Sequence, residues 1–447
     1  MNNHSFNVSK KEFNYVKINK SSFLSAFTMY SICIIYFYVL FGPSRIKRIL
    51  SFSIEGKSTT NEVWIIPLLC VVIILLSGIN KKNLIINNHN LPFVVYVYLY
   101  IVIILLGGFN VNSIAQYIYA VMLFIVPIFL FFSMIYLEYQ EIEKLIKIFV
   151  LSCLIYSILA IILSTNYAYF MNLVGNIIDD RYYLQYRASM MLGSSITVSY
   201  FFNLTLPLCF YLYYSNTEKK WRLISGITIF MTVIATFVLL SRTAVLCTLI
   251  IIAYSLFFMK KRKRKGIRKI GIFLLIIIAI LYTYKNFDLT RIIDGMNFSG
   301  SSVEARLQAI NLGLYIFTQF PLIGSGMGTF FKRVYDNKYI TVDGLTGLID
   351  PHNMYILILS ELGLIGIIVT ALLFITLIKK FSNIEDNILK HTAYITVIAF
   401  LFDSLGGSHL VNEISFASIF WIYMGLFSAI SFRKYRENME YYGMVKK

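Results

Sequence analysis

The chain has 447 residues, 58% of them hydrophobic and 14% charged, with 40 Lys and Arg against 22 Asp and Glu for a formal net charge of +18. Its mean hydropathy of +0.71 excludes a water-soluble globular domain, because apolar runs near the roughly 20 residues that span a bilayer recur along the whole chain. The positive charge is no nucleic-acid signal: it sits in short loops between apolar runs, where Lys and Arg set membrane orientation and attract anionic lipid.

In chain order, residues 1–22 are polar and carry Lys10, Lys11, Lys17 and Lys20. No small-residue cleavage site follows the first apolar run, which predicts an uncleaved anchor rather than a signal peptide. Apolar runs then fall at about 23–42, 63–79, 92–108, 113–136, 146–164, 194–214, 222–240, 243–259, 270–284, 354–378, 392–410 and 414–432. They predict an all-α fold, a polytopic transmembrane helical bundle of about 12 helices. One helical domain over 23–432 lies between a cytoplasmic N-terminal segment, 1–22, and a cytoplasmic tail, 433–447. Cys33, Cys70, Cys153, Cys209 and Cys247 all fall inside these runs, without metal-ligand or disulfide spacing, and read as small core residues.

With the N-terminus in the cytoplasm, the inner segments hold 27 Lys and Arg and the outer segments 13, led by the basic run at 260–269. Only the loop with Arg45, Lys47, Arg48 and Lys57 dissents. Two outer loops are long, 165–193 and 285–353, and loops of that length are usually functional. The first carries Asp179, Asp180, Arg181 and Arg187; the second carries Arg291, Glu304 and Arg306. Within the second, apolar residues at helical spacing over 303–320 predict an amphipathic helix on the outer surface.

The chemistry-capable residues concentrate between Phe320 and Gly366. A glycine-rich turn (Gly324, Gly326, Gly328) leads through a polar loop to Asp350-Pro351-His352-Asn353 and then a long apolar run. Asn353 is placed to cap that helix, and a helix N-terminus is a seat for an anion. His352 at its mouth is a candidate general base, with a hydrogen-bonded structural role as the plainer alternative. Glu361 lies nine residues further on, so it faces the opposite side of the helix, about 13 Å deeper, where a carboxylate needs a partner. Arg242, in LLSRTAV between two apolar runs, either snorkels toward headgroups or binds phosphate. With Arg181, Arg187, Arg291 and Arg306 on the same side, it makes a candidate diphosphate clamp, since planar guanidinium groups match phosphate oxygens in pairs; surface ion pairs are the alternative for each loop arginine. Asp403 and His409 are weaker candidates. The sequence contains no nucleotide-binding phosphate loop and no metal-ligand cluster.

These segments resemble the O-antigen ligase and O-antigen polymerase superfamily of bacterial envelope glycosyltransferases over about 187–366. The resemblance rests on Arg187 leading into GSSITVSYFFNLTLPL, the Ser241-Arg242 pair, Arg306 followed by FPLIGSGMGTF, and PHNMYILILSELGLIG. It implies a GT-C-like glycosyltransferase that uses no metal or other cofactor and takes a glycan from undecaprenyl diphosphate to a sugar hydroxyl. It also implies catalytic roles for His352, Arg242 and Arg306 and matches Arg187 to an earlier outer-loop arginine of the family; with Arg187, the residues themselves put forward Arg181, Arg291, Asn353 and Glu361 as substrate contacts. The implied partners are an undecaprenyl-diphosphate-linked oligosaccharide, membrane lipids, and a chain-length regulator and flippase of the same pathway; nucleic acid is not among them. The implied location is the bacterial plasma (inner) membrane, with both termini cytoplasmic and the active site on the outer face. Both a Wzy-type polymerase of O-antigen or capsule repeats and a ligase acting on lipid A core fit these motifs. The Ile, Asn, Lys and Tyr bias, similar to that of variable surface-polysaccharide loci, favours the polymerase. A lipid-linked glycan transporter is the alternative of another class, disfavoured because the polar residues gather at one face rather than at the midplane.

Overall fold

A computed structural model of the chain describes residues 20–41, 53–54, 57–58, 91–111, 114–134, 137–165, 195–215, 218–239, 241–259, 301–330, 333, 351–408 and 414–441. It is helical: α1 (Lys20–Phe41), α2 (Leu91–Gly107), α3 (Ile114–Met134), α4 (Tyr139–Thr165), α5 (Ser195–Tyr214), α6 (Lys219–Val238), α7 (Arg242–Phe258), α8 (Ser301–Gln319), α9 (Met354–Phe381), α10 (Asn387–Asp403) and α11 (Ile414–Tyr441). A two-residue antiparallel pair, Ser53–Ile54 with Lys57–Ser58, is the one strand pairing among the described residues. Every sequence-predicted span on described residues coincides with a helix. Those at 63–79 and 270–284 lie outside the described residues, as do the basic run 260–269, the loop 166–194, most of 285–353, Cys70 and His409. Among the described residues, five helices are long and apolar enough by themselves to cross a membrane: Leu91–Asn110, Tyr139–Ser164, Ser195–Tyr214, Lys219–Val238 and Met354–Phe381. The chain is therefore a helical membrane protein.

α5 is the centre of the bundle. Every residue from Thr197 to Leu212 is buried, as expected for a helix surrounded on all sides, and α4, α6, α7 and α10 pack around it. A second group joins α3 to α11 and α2 to α9. Aromatic rings fill the space between, with Phe400 on Phe420 at 3.8 Å and Phe93 on Phe131 at 4.2 Å. Since lipid tails are as apolar as the core, helix association draws on packing and on small polar contacts. Thr232 of α6 meets Ser157 and Cys153 of α4 at 3.0 and 3.4 Å, and Tyr423 of α11 meets Tyr36 of α1 at 3.1 Å and Thr205 of α5 at 3.0 Å. Cys153, Cys209 and Cys247 are buried and unbridged, core residues as expected.

α9 departs from the sequence expectation of one continuous helix. At Gly363 the backbone turns out of helix (φ 68°, ψ −167°), and the stretch 321–330 enters the break. The amides of Leu364 and Ile365 donate to the carbonyls of Pro321 and Leu322, at 2.9 and 3.2 Å. In return the amides of Ser325 and Gly326 donate to the carbonyls of Ser360 and Glu361, each at 3.0 Å. Non-helical backbone inside a membrane helix is tolerated when its polar groups are paired; here they are, with Ser360 to Gly363 and Gly324 to Met327 buried and Pro321, Leu322, Leu364 and Ile365 at the surface. The crossing admits no side chain. A Cβ on Gly363 would fall 2.4 Å from the Leu322 carbonyl oxygen, and one on Gly324 (φ 73°) would fall 2.2 Å from the Glu361 carbonyl. Left-handed backbone alone costs a non-glycine residue on the order of 1–3 kcal/mol. Gly363→Ala and Gly324→Ala should therefore each lower the melting temperature of the detergent-purified protein by several degrees. Melting at the parental temperature would show that the loop does not thread the break.

Candidate functional site

Of the sequence-predicted residues that are described, His352 and Asn353 lie at the head of α9, Arg242 at the head of α7 and Arg306 on α8, while Glu361 lies deeper, at the break in α9. α9 starts as expected: the Asn353 side chain accepts from the amides of Tyr355 and Ile356, at 3.0 and 3.1 Å, which satisfies two orphan donors of the first turn. The same side chain donates to the Leu405 carbonyl at 3.3 Å. The Met354 amide donates to the Ser404 carbonyl at 3.0 Å, and the Tyr355 hydroxyl to the Leu401 carbonyl at 2.7 Å. The N-terminus of α9 is thus pinned to the C-terminal end of α10. Asn353, expected as a substrate contact, has its side-chain oxygen and nitrogen committed to this joint.

His352 is half-buried immediately before the cap and has φ 48°, among the described residues the one non-glycine position with positive φ. Histidine visits that region more readily than most residues, but still at a cost. The turn is held by the buried Pro351 on one side and the pinned cap on the other.

Arg306 is carried by α8, which packs on α9. A Cβ on Gly313 would touch Ile356, and the Pro321 carbonyl bonds the Leu364 amide. The two stretches therefore run in the same direction, and Arg306 lies about two helical turns before Gly313 on α8. The guanidinium is also close enough to the Tyr200 phenol on α5 to act on it electrostatically.

Arg242 opens α7 and is exposed. The next residue, Thr243, pairs with the Tyr200 hydroxyl. Gly406 closes over both: a Cβ there would lie 2.6 Å from the Tyr200 oxygen and 2.7 Å from Thr243 Oγ1. The start of α7, the start of α9, the end of α10 and the N-terminal half of α8 accordingly meet around Tyr200. Arg181, Arg187 and Arg291 lie outside the described residues.

Beneath this end sits a buried polar knot that the sequence did not disclose. Asn203 of α5 donates from Nδ2 to both Asp403 oxygens, at 3.2 and 3.0 Å, and to the Ala244 carbonyl at 3.0 Å. Its Oδ1 accepts from Thr248 at 2.6 Å. All four residues are buried. A satisfied buried network of this kind rigidifies the helices that carry it, here α5, α7 and α10. Asp403, a weak site candidate in the sequence, is the acceptor of this network. Asn203 could have been singled out only as a polar residue inside an apolar run.

Glu361, expected as a substrate contact, is buried at the break in α9. Its Oε2 accepts from the Gly328 amide at 2.9 Å and its Oε1 from the Phe330 amide at 3.0 Å. These are the partners that a carboxylate at that depth requires. The far side of the loop is held by α2 and its 3₁₀ extension, where Asn110 Nδ2 donates to the Gly324 carbonyl at 2.8 Å. Arg333 also belongs to this clamp. It donates to the Asn110 carbonyl at 2.5 Å and lies 4.7 Å over the Phe320 ring, although nothing in its sequence context distinguished it from other loop arginines.

Chemically, the head of α7 carries an exposed guanidinium, the head of α9 a half-buried imidazole, and α8 a half-buried guanidinium. Among the described residues no group of three His, Cys, Asp or Glu side chains is arranged to hold a metal. No curated protein matches the chain. Residues 227–371, about a third of its length, match the family model described as O-Antigen ligase, and that stretch contains Arg242, Arg306, His352, Glu361 and Gly363. Over these residues the chain is similar to the O-antigen ligase family, which supports the ligase and polymerase superfamily without separating the two activities.

Proposed function

We propose that this protein is a surface-polysaccharide polymerase of the bacterial inner membrane that transfers a glycan from undecaprenyl diphosphate to the sugar hydroxyl of a lipid-linked repeat unit. The observation that supports this reading is that α8, which carries Arg306, packs on the half of α9 headed by His352, with Gly313 against Ile356, within the stretch 227–371 that matches the O-antigen ligase family and also holds Arg242. In the reaction His352 takes the proton of the acceptor hydroxyl as its oxygen bonds to the anomeric carbon of the donor. The bond from that carbon to the diphosphate breaks, and undecaprenyl diphosphate leaves with its charge held by Arg242 and Arg306. Arg181, Arg187 and Arg291 would extend the clamp from the outer loops. The site would need neither metal nor other cofactor, and the helices would form a GT-C-like bundle.

The polymerase is preferred for the Ile, Asn, Lys and Tyr bias of the chain. The second reading is a ligase that hands finished chains to lipid A core, and the family match fits either activity. Transport is disfavoured on a further ground. A transporter's broken helix leaves freed backbone groups for its cargo, whereas at Gly363 the groups flanking the break are bonded to the loop.

The test is reconstitution. Purified protein given lipid-linked repeats alone should yield a ladder of polymer and release undecaprenyl diphosphate. Product formed only when lipid A core is added identifies the ligase, and no product in either case sinks both.

The outward-facing site makes a prediction of its own. In intact cells a membrane-impermeant maleimide should label Ile340→Cys and leave Arg264→Cys unlabelled, since the native cysteines lie in apolar runs. The reverse pattern would place the site in the cytoplasm, where lipid-linked repeats are built rather than joined.

A further inference from the structure

We propose that Glu361 is a positioning residue that fixes Arg306 and His352 relative to each other by fastening the loop 321–330 into the break of α9. The inference rests on the roles given to Arg306 and His352 under Proposed function and adds a residue that touches neither substrate.

Arg306 and His352 lie on different elements, and the packing of α8 on α9 relates the two. α8 carries Arg306 and ends at Gln319, where it runs directly into the loop. The half of α9 from Asn353 to Leu362 carries His352 at its head and ends at Gly363. Four backbone bonds sew the loop across the break, two to each half of α9. Those bonds hold the first half of the loop, Pro321 to Gly326. Glu361 holds the second half: its two oxygens take the amides of Gly328 and Phe330. Without it, the amides of the buried Phe330 and the part-buried Gly328 would lose their acceptor, a cost on the order of 1–3 kcal/mol for the fully buried one.

Charge-assisted bonds to a carboxylate are about twice as strong as neutral ones, and one side chain reaching two amides, two residues apart, sets the direction of the loop as well as its depth. The outer clamp from Asn110 and Arg333 presses the loop onto that carboxylate from the other side. α8, the loop and the head of α9 then behave as one body. Its orientation toward α10 is set by the Asn353 joint, and its internal geometry by Glu361.

Glu361→Gln keeps the shape of the side chain but turns one acceptor into an NH₂ that opposes a backbone N–H. Two measurements on the full-length purified protein test the role. In the first, spin labels at Leu307→Cys on α8 and Leu405→Cys beside the Asn353 joint, both exposed positions, report the α8-to-joint distance in a background without native cysteines. The parent should give one narrow distribution and Glu361→Gln a broadened one.

The second is a double-mutant cycle on polymer turnover with native lipid-linked repeats. Glu361→Gln alone should cost about tenfold, yet less than about threefold on an Arg306→Lys background, because coupled residues are non-additive by about 0.5–3 kcal/mol. Losses that multiply, or an unchanged distance distribution, overturn the positioning role. A raised KM at parental turnover also overturns it, by making Glu361 a substrate contact. If Arg306→Lys turns over at the parental rate, the assignment of Arg306 under Proposed function fails. That result is distinct from a failure of Glu361, which leaves the Arg306→Lys loss in place.

Discussion

Replacing His352 with Asn should reduce turnover by about 10²–10⁴-fold, the contribution of a positioned general base, while KM for the lipid-linked donor stays within a few-fold. A sugar hydroxyl is a poor nucleophile, and the diphosphate leaves well once its charge is held, so proton removal from the acceptor is the step that still needs help. Asn is the informative replacement because the backbone at this position has φ 48°, which Asn tolerates better than Ala. His352→Ala should show the same loss of turnover together with a lower melting temperature, because it adds backbone strain. Asn within a few-fold of the parent, with Ala alone inactive, would make His352 a turn residue. Asp403, buried against Asn203, would be no simple successor as base.

Arg242→Ala and Arg306→Ala should each abolish detectable polymer in cells while the protein remains in the membrane at parental levels. Hydrogen bonds to charged groups contribute about 1.5–3 kcal/mol each, so the loss of a bidentate pair, about 3–6 kcal/mol, corresponds to about 10²–10⁴-fold in rate. Arg→Lys should rescue poorly at both positions, since a point charge cannot reproduce the planar fork. The two positions differ in surroundings, which sharpens the comparison. Arg242 is exposed at the first position of α7, whereas Arg306 is half-buried near Tyr200. Removing Arg306 should therefore perturb the Tyr200 end of the bundle as well as the anion site. Tyr200→Phe, which keeps the packing but loses the pair with Thr243, should retain most activity. Normal-length polymer from both alanine variants would remove the clamp.

Much of this was legible in the chain by itself. Apolar runs at 194–214 and 354–378 predict α5 and α9 nearly to their ends, because the hydrophobic requirement of a membrane helix is written residue by residue. The cap at Asn353 was legible for the same reason: a helix start is satisfied within its own first turn. The demand of Glu361 for a partner also followed from its depth. Its partners did not, since Gly328 and Phe330 are brought to it only when the loop enters the break at Gly363. That break lies inside a predicted span, two residues after Glu361, where a glycine by itself raises no local signal. Its departure from helix is stabilised by carbonyls and amides more than thirty residues away in the chain. Asn203 and Asp403 are likewise ordinary polar residues on separate apolar segments, and their bond exists because α5 and α10 present those faces to each other. Local chemistry thus determined which segments are helices and where they begin. Which residues near the site face substrate, and which hold its parts together, was decided by the pairing of helix faces, a property no single segment contains.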